Sequence, residues 1–254
     1  EQAPDAVVEI GGPPVPSAVA ESPTAEVVAP SVMKFAEVEQ QSAYRRALEL
    51  KMLGLEADAA RELAALTEQY TRDPDILMTL SMRLNEVGAY NHALRLARAR
   101  FREKLERTGG AVAPGLWSVA YPTGLIPTIK TQGLAGVNPY LVAAIIREES
   151  QYDVRAVSRV GAIGLMQVMP ATGKDMNVGD ITQLEPNIHA GVKYFRFMVD
   201  QFYKDEPMDP LNKGLMTLAS YNAGPGTVQN AIKRSRGVRD FWELAANRRN
   251  FRQE

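Results

Sequence analysis

Asn138-Pro139-Tyr140-Leu141-Val142-Ala143-Ala144-Ile145-Ile146-Arg147-Glu148-Glu149-Ser150 is the stretch that decides how this chain folds. An Asn suited to the N-cap followed by Pro at the first helical position is a helix start, and the spacing predicts a helix to about Gln151. At 100° per residue, Leu141, Val142, Ile145 and Ile146 form an apolar stripe centred near 70° from Leu141. Glu149 falls at about 80°, inside the stripe, while Glu148 at about -20° and Arg147 at about 240° lie off it. Two readings are open from this geometry. Either the helix ends at Glu149 and its side chain escapes to water, or one carboxylate points inward. An inward carboxylate loses hydration, and its pKa rises toward that of a general acid.

Downstream, Ser158 leads into Gly161-Ala162-Ile163-Gly164-Leu165-Met166-Gln167-Val168-Met169-Pro170, a glycine-rich, non-helical stretch with at most a small sheet near residues 156 to 168. Gly161 and Gly164 permit backbone shapes that other residues resist and so form the loop that presents Gln167, with Met166 in the core. A short helix follows Pro170, a longer one runs from Asn187 to Tyr203, another precedes Tyr221, and Gly226 to Arg234 begins a further one. Ala219-Ser220-Tyr221-Asn222-Ala223-Gly224-Pro225-Gly226 lies between the last two, and Asn222 to Gly226 is a turn by composition.

Upstream, residues 34 to 107 are rich in the helix formers Ala, Leu, Glu and Arg. Gly54 and Gly88 stand 34 residues apart, and the same offset aligns Leu53 with Val87, Ala59 with Ala93 and Arg61 with Arg95. With Asp73-Pro74 as a boundary, this predicts four helices in two helix-turn-helix units near the tetratricopeptide period. Two such units are few for an array, so they must cap against the rest of the chain. Residues 108 to 136, with Trp117, Tyr121, Leu125 and Ile126 among several Gly and Pro, read as an ordered strap. Residues 1 to 33 carry Pro4, Pro13, Pro14, Pro16, Pro23 and Pro30, which favours an extended, disordered linker or tail. The expected organisation is a linker over 1–33, a helical segment over 34–110, a connector over 111–137 and a catalytic domain over 138–254.

Composition narrows the chemistry. The 254 residues hold 29 Lys+Arg against 30 Asp+Glu, no Cys and two His. A net charge of -1 gives no bulk field for nucleic acid. Thiol nucleophiles, Cys-ligated zinc and iron–sulfur clusters are excluded. His92 and His189 are too few for a multi-His cage and read as structural, so no metal and no cofactor are expected. No apolar run reaches the roughly eighteen residues of a membrane span. Carboxylates, hydroxyls, amides and backbone remain.

The ordered set Glu149-Ser150, Gly164-Leu165-Met166-Gln167-Val168-Met169-Pro170 and Ala219-Ser220-Tyr221-Asn222-Ala223-Gly224 resembles the E-S, G-L-M-Q-x-M-P and A-Y-N-A-G motifs of the soluble lytic transglycosylase family. Ser220, one residue before the tyrosine, is a small departure. The resemblance extends firmly from about Trp117 onward and loosely over Lys34 to Gly110, where the family's soluble members carry a helical superhelix. It implies a mainly α, lysozyme-like transglycosylase domain preceded by helix-turn-helix, tetratricopeptide-like units.

The resemblance also implies a reaction and a site. The family cleaves the β-1,4 bond between N-acetylmuramic acid and N-acetylglucosamine in bacterial peptidoglycan, leaving 1,6-anhydro ends. Glu149 matches the catalytic glutamate, acid first and base afterwards. Most glycosidases need a second carboxylate; Asp153, Asp175, Asp180 and Glu185 lie outside the motifs, and the family is understood to use the substrate's N-acetyl group instead. Ser158 matches the serine thought to contact that group, Gln167 and Met169 match cleft residues, and Tyr221 matches the tyrosine near the catalytic carboxyl. Asn222 is open between a ligand contact and a structural cap. Glu254 stands where the family carries a cleft-facing glutamate.

Peptidoglycan strands are the expected partner, with a protein partner as a further possibility at the helical units. The basic cluster of Lys233, Arg234, Arg236, Arg239, Arg248 and Arg249 reads as a solvated face or a contact for anionic wall components. The substrate implies the periplasm or cell envelope. The chain opens at Glu1 without an export segment, which reads as processing or trimming. The rival readings are a lysozyme-type hydrolase of the same fold and a non-catalytic glycan-binding or interaction protein.

Overall fold

The computed structural model describes residues 32–107, 114–134 and 136–246. The expectations for the Pro-rich segment, Gly109-Gly110, Arg248, Arg249 and Glu254 fall, wholly or nearly so, outside these residues. The described residues group into two compact units, 32–127 with 143–153 and 128–142 with 154–246.

In the first unit, α1 (Val32–Gln40), α2 (Ser42–Met52), α3 (Glu56–Gln69), α4 (Pro74–Glu86), α5 (Tyr90–Arg107) and α6 (Pro114–Ala120) follow one another. Five helices therefore occupy the stretch expected to hold four, because a single bend at residue 41 separates α1 from α2. The glycines set the turns of both pairs. Gly54 (φ 72°) and Gly88 (φ 76°) adopt left-handed backbone. Each follows a helix whose end is closed in the same way: Leu55 N donates to Leu50 O and Gly54 N to Lys51 O, as Ala89 N does to Leu84 O and Gly88 N to Asn85 O. These are two Schellman turns, the closure that a glycine past a helix end makes easy. Between them, Asp73 caps α4 by accepting from the backbone N–H groups of Asp75 and Ile76 at 3.2 Å, with Pro74 beginning the helix.

Leu63, Leu66, Leu77, Leu80, Leu84, Ala93, Ala97, Phe101, Leu116 and Val119 form the buried core of this unit. Each fully buried leucine contributes roughly 1.5–3 kcal/mol, which makes this helical face the main source of the unit's stability. The stretch read as a strap is itself partly helical, since α6 packs on α4 and α5.

The second unit holds α9 (Pro170–Met176), α10 (Leu184–Met198), a π-helical turn (Val199–Tyr203), α11 (Pro210–Ala223), α12 (Pro225–Arg234) and α13 (Phe241–Ala246). Residues of α7 (Ile126–Gln132) and α8 (Pro139–Glu149) belong to both units. The apolar face of α10, Ile188, Val192, Phe195 and Met198, is buried. A second buried group gathers Tyr203, Met216, Val228, Ala231, Ile232 and Leu244. In place of a sheet, residues 156–168 carry two isolated antiparallel bridges, Val157 with Ile163 and Ile163 with Val168. Asn222 lies in the last turn of α11 instead of in a loop, and the reversal comes at Gly224 (φ 84°), where Pro225 starts α12. No helix among the described residues is long and apolar enough to cross a membrane.

Candidate active site

Asn138 begins α8 as its sequence predicts, its side-chain oxygen accepting from Tyr140 N at 2.8 Å. At the other end the helical register separates the two glutamates. The Glu148 side chain is 63% exposed, whereas Glu149 is half-buried and its carboxyl is pushed above the usual value by burial alone. A carboxyl so placed keeps its proton at a higher pH than a solvated one, which is what a general acid requires.

Behind Glu149 the backbone turns sharply. Gln151 (φ 53°) and Tyr152 (φ 64°) are consecutive non-glycine residues in the left-handed region, a conformation that costs of order 1–3 kcal/mol each and persists only where the surroundings hold it. Here they do. Asn91 Nδ2 donates to Gln151 O at 3.0 Å. The buried Tyr152 hydroxyl reaches Pro122 O at 3.0 Å and Ala143 O at 3.2 Å, and burial pushes its pKa to about 12, so it remains a donor. Ser150, also buried, turns its hydroxyl back to Ile146 O. On the far side of α8, Arg147 donates through Nε to Ala120 O at 2.9 Å and lies 4.6 Å above the Tyr121 ring.

The remaining candidates lie in the second unit and are built around one loop. Ser158 closes a turn: its N–H donates to Ala162 O and its Oγ accepts from Ala162 N, both at 2.9 Å, with Gly161 at φ 90° between them. The serine proton is thereby left to donate elsewhere. Gln167, at φ 48°, donates through Nε2 to Gly164 O at 2.9 Å and Ala156 O at 3.3 Å. Two carbonyl partners fix which end of the amide is nitrogen and leave its oxygen as an acceptor. Tyr221, at the end of α11, donates its hydroxyl to Met166 O at 2.7 Å. That phenol thus holds the loop. Met169 is 40% exposed just before α9, and Asn222 is exposed. Gln167 and Tyr221 are brought together through the Met166–Gln167 segment, and Ser158 joins them through the Ala156–Ala162 turn. Asn222 has no such link among the described hydrogen bonds.

Asn187 organises this loop, a role its sequence position did not reveal. Only 1% exposed, it accepts from Met166 N at 2.9 Å and donates to Ile163 O at 2.9 Å and Ile181 O at 2.8 Å. The available signal was one amide on the otherwise apolar buried face of α10. His189 meets Gln132 O through Nδ1 at 2.9 Å, and His92 is exposed. Among the described residues no group of three His, Cys, Asp or Glu is placed to hold a metal ion.

Residues 126–243 match the family described as Transglycosylase SLT domain. A membrane-bound lytic murein transglycosylase F from Desulfosudis oleivorans is 41% identical over 96 residues, covering 38% of this chain and 21% of that protein. The soluble lytic murein transglycosylase of Escherichia coli K12 is 34% identical over 104 residues, covering 37% of this chain and 15% of that one. The chain thus spans about a fifth or less of these relatives' length. Among solved structures, the 70 kDa soluble lytic transglycosylase of Escherichia coli superposes with a TM-score of 0.59 at 21% identity, over 85% of this chain and 35% of that one. The lytic transglycosylase Slt of Pseudomonas aeruginosa, solved as an inactive glutamate-to-glutamine mutant, gives 0.55 at 25% identity, over 85% and 34%. The mainly α fold expected from the sequence is the fold of these proteins.

Proposed function

We propose that this chain, whose residues 126–243 match the Transglycosylase SLT domain family, is a peptidoglycan lytic transglycosylase in which Glu149 serves as both acid and base. The observation that carries the proposal is the half-buried Glu149 carboxyl, raised by desolvation alone at the end of α8. The inactive glutamate-to-glutamine mutant of the Pseudomonas aeruginosa protein supports a reaction hinging on one glutamate.

Protonated Glu149 donates its proton to the glycosidic oxygen as the bond from that oxygen to muramyl C1 breaks. The carbonyl oxygen of the substrate's own N-acetyl group forms a bond to C1, which removes the need for a second protein carboxylate. The Glu149 carboxylate then takes the proton of the muramyl C6 hydroxyl. That oxygen bonds to C1 as the acetyl oxygen leaves, giving a 1,6-anhydro ring and regenerating the acid. Ser158, with its proton free, suits a donor to the N-acetyl carbonyl. The amide oxygen of Gln167 suits a sugar hydroxyl, and exposed Met169 offers a polarizable apolar surface to a sugar face. Tyr221 and Asn222 belong to this reading as substrate contacts. Peptidoglycan as substrate implies action in the periplasm or cell envelope, and the helical units offer a surface for a protein partner.

Digestion of purified sacculi followed by mass spectrometry tests the reading. Anhydro-muropeptides, absent with Glu149→Gln, are expected. Reducing muramic ends would replace the lyase by a hydrolase, and intact glycan that is bound but never cut would leave only a binding protein.

A further inference from the structure

Within the unit of residues 32–127 and 143–153, α5 and the end of α8 enclose a concavity of about 550 Å3, open to solvent and lined by Arg95, Arg98, Arg102, Tyr121, Arg147 and Gln151. Among the described residues its lining holds four guanidinium groups and no carboxylate. Glu148, from outside the lining, pairs with Arg147 and comes within 3.8 Å of Arg98. The charge is built into the helix. Leu94, Ala97 and Phe101 bury one stripe of α5, and Arg95, Arg98 and Arg102 occupy the adjoining stripe, one residue further along each time. Like charges three and four residues apart on a helix repel, and Glu148 offsets part of that repulsion at Arg98.

The geometry also describes the occupant. A concavity of this size lies in the range of sites for multi-atom organic ligands and is large for a single small ion. Guanidinium forks match carboxylates two bonds at a time. Arg147 is held in place by Ala120 O and the Tyr121 ring. The Tyr121 ring lies 4.4 Å from that of Trp117, and the two residues are 43% and 42% exposed, an aromatic shelf for apolar groups beside the charges. Arg147 and Glu149 are two residues apart, about 3 Å along the helix axis, yet they point about 160° apart around it. The occupant is therefore a different part of the polymer from the sugar at Glu149.

We propose that this concavity binds the carboxylates of a short peptide, of the kind attached to muramic acid in peptidoglycan. The proposal rests on the reading of the substrate above. It makes the protein a reader of whether a strand carries its peptides, separately from the chemistry on the sugar.

Calorimetric titration of the intact chain tests it with four probes: a disaccharide-peptide, the same disaccharide freed of peptide by an amidase, the free peptide, and tripolyphosphate. The free peptide is expected to bind, and Arg95→Gln/Arg98→Gln to weaken both peptide-bearing probes at least tenfold while the bare disaccharide is unaffected. Raising the salt should weaken the same two probes. The single variant Arg98→Gln should give about a threefold loss and serves if circular dichroism shows the double variant unfolded. A free peptide that fails to bind, or a double variant within twofold of the parent, overturns the proposal. Tripolyphosphate binding more tightly than the peptide overturns it in favour of a phosphate ligand. Turnover of peptide-free glycan strands reports on Glu149 alone, so the loss of one reading is distinguishable from the loss of the other.

Discussion

Gly164 lies so close to Asn187 that a β-carbon on Gly164 would stand 2.5 Å from the amide nitrogen Nδ2. That amide is already bonded to Ile163 O and Ile181 O, so it cannot retreat without giving up both. The loop that carries Gln167 is therefore held by an absence of side chain at Gly164 and a buried amide on α10.

Gly164→Ala combines a left-handed φ of 74° with this collision, and a loss of about 2–4 kcal/mol is expected. Gly179, at φ 89° with nothing within 4 Å of its added β-carbon, is the control. Gly179→Ala should cost only about 1 kcal/mol. Thermal melts of the two variants separate strain from crowding, at roughly 2–4 °C per kcal/mol for a chain of this size.

Removing the amide strands a buried donor. Asn187→Ala leaves the Met166 N–H without its acceptor and takes one bond each from Ile181 O and from Ile163 O, which still accepts from Val168 N, with a cost of about 2–4 kcal/mol. Proton exchange at the Met166 amide should accelerate with the fall in melting temperature. Unchanged exchange would contradict the role given to Asn187.

Tyr221→Phe deletes the 2.7 Å bond to Met166 O and keeps the ring. A loss of about 1 kcal/mol is expected, accompanied by lower turnover because Gln167 follows directly in the chain. Melting temperature and anhydro-muropeptide yield, measured together, check the coupling.

Glu149→Gln should abolish turnover while stabilising the fold at neutral pH. The folded chain holds the Glu149 proton more tightly than the unfolded chain, whose value is near 4.5. Ionisation therefore costs stability as pH rises through the folded value. Gln does not titrate, so the variant should melt above the parent at pH 7, with the difference shrinking as pH falls toward 4.5. An equal melting temperature at both pH values would contradict desolvation of the carboxyl.

Local chemistry was legible in the sequence and distant chemistry was not. The start of α8, the inward register of Glu149 and the turns at Gly54 and Gly88 depend on residues within one or two helical turns, and periodicity and capping report those directly. The fifth helix, α1, was missed because residue 41 interrupts it without Gly or Pro. Asn187 reaches a backbone 21 residues away, and the Tyr152 hydroxyl one 30 residues away. No local pattern encodes either bond. The arginine row of α5 could be read from spacing, but the meeting of that row with Arg147 and Tyr121 depends on packing. The buried Ser220 took on meaning only when its oxygen was found 2.6 Å from the Tyr203 hydroxyl.

That last pair gives the π-helical turn at Val199–Tyr203 an unexpected consequence. A π turn bonds i to i+5 and so winds its backbone more loosely than an α-helix. Regular α-geometry over the same five residues would wind them more tightly and turn the Tyr203 phenol away from the direction in which it meets Ser220. In this helix the irregular turn sets the angular timing, and repairing it would be the damaging mutation.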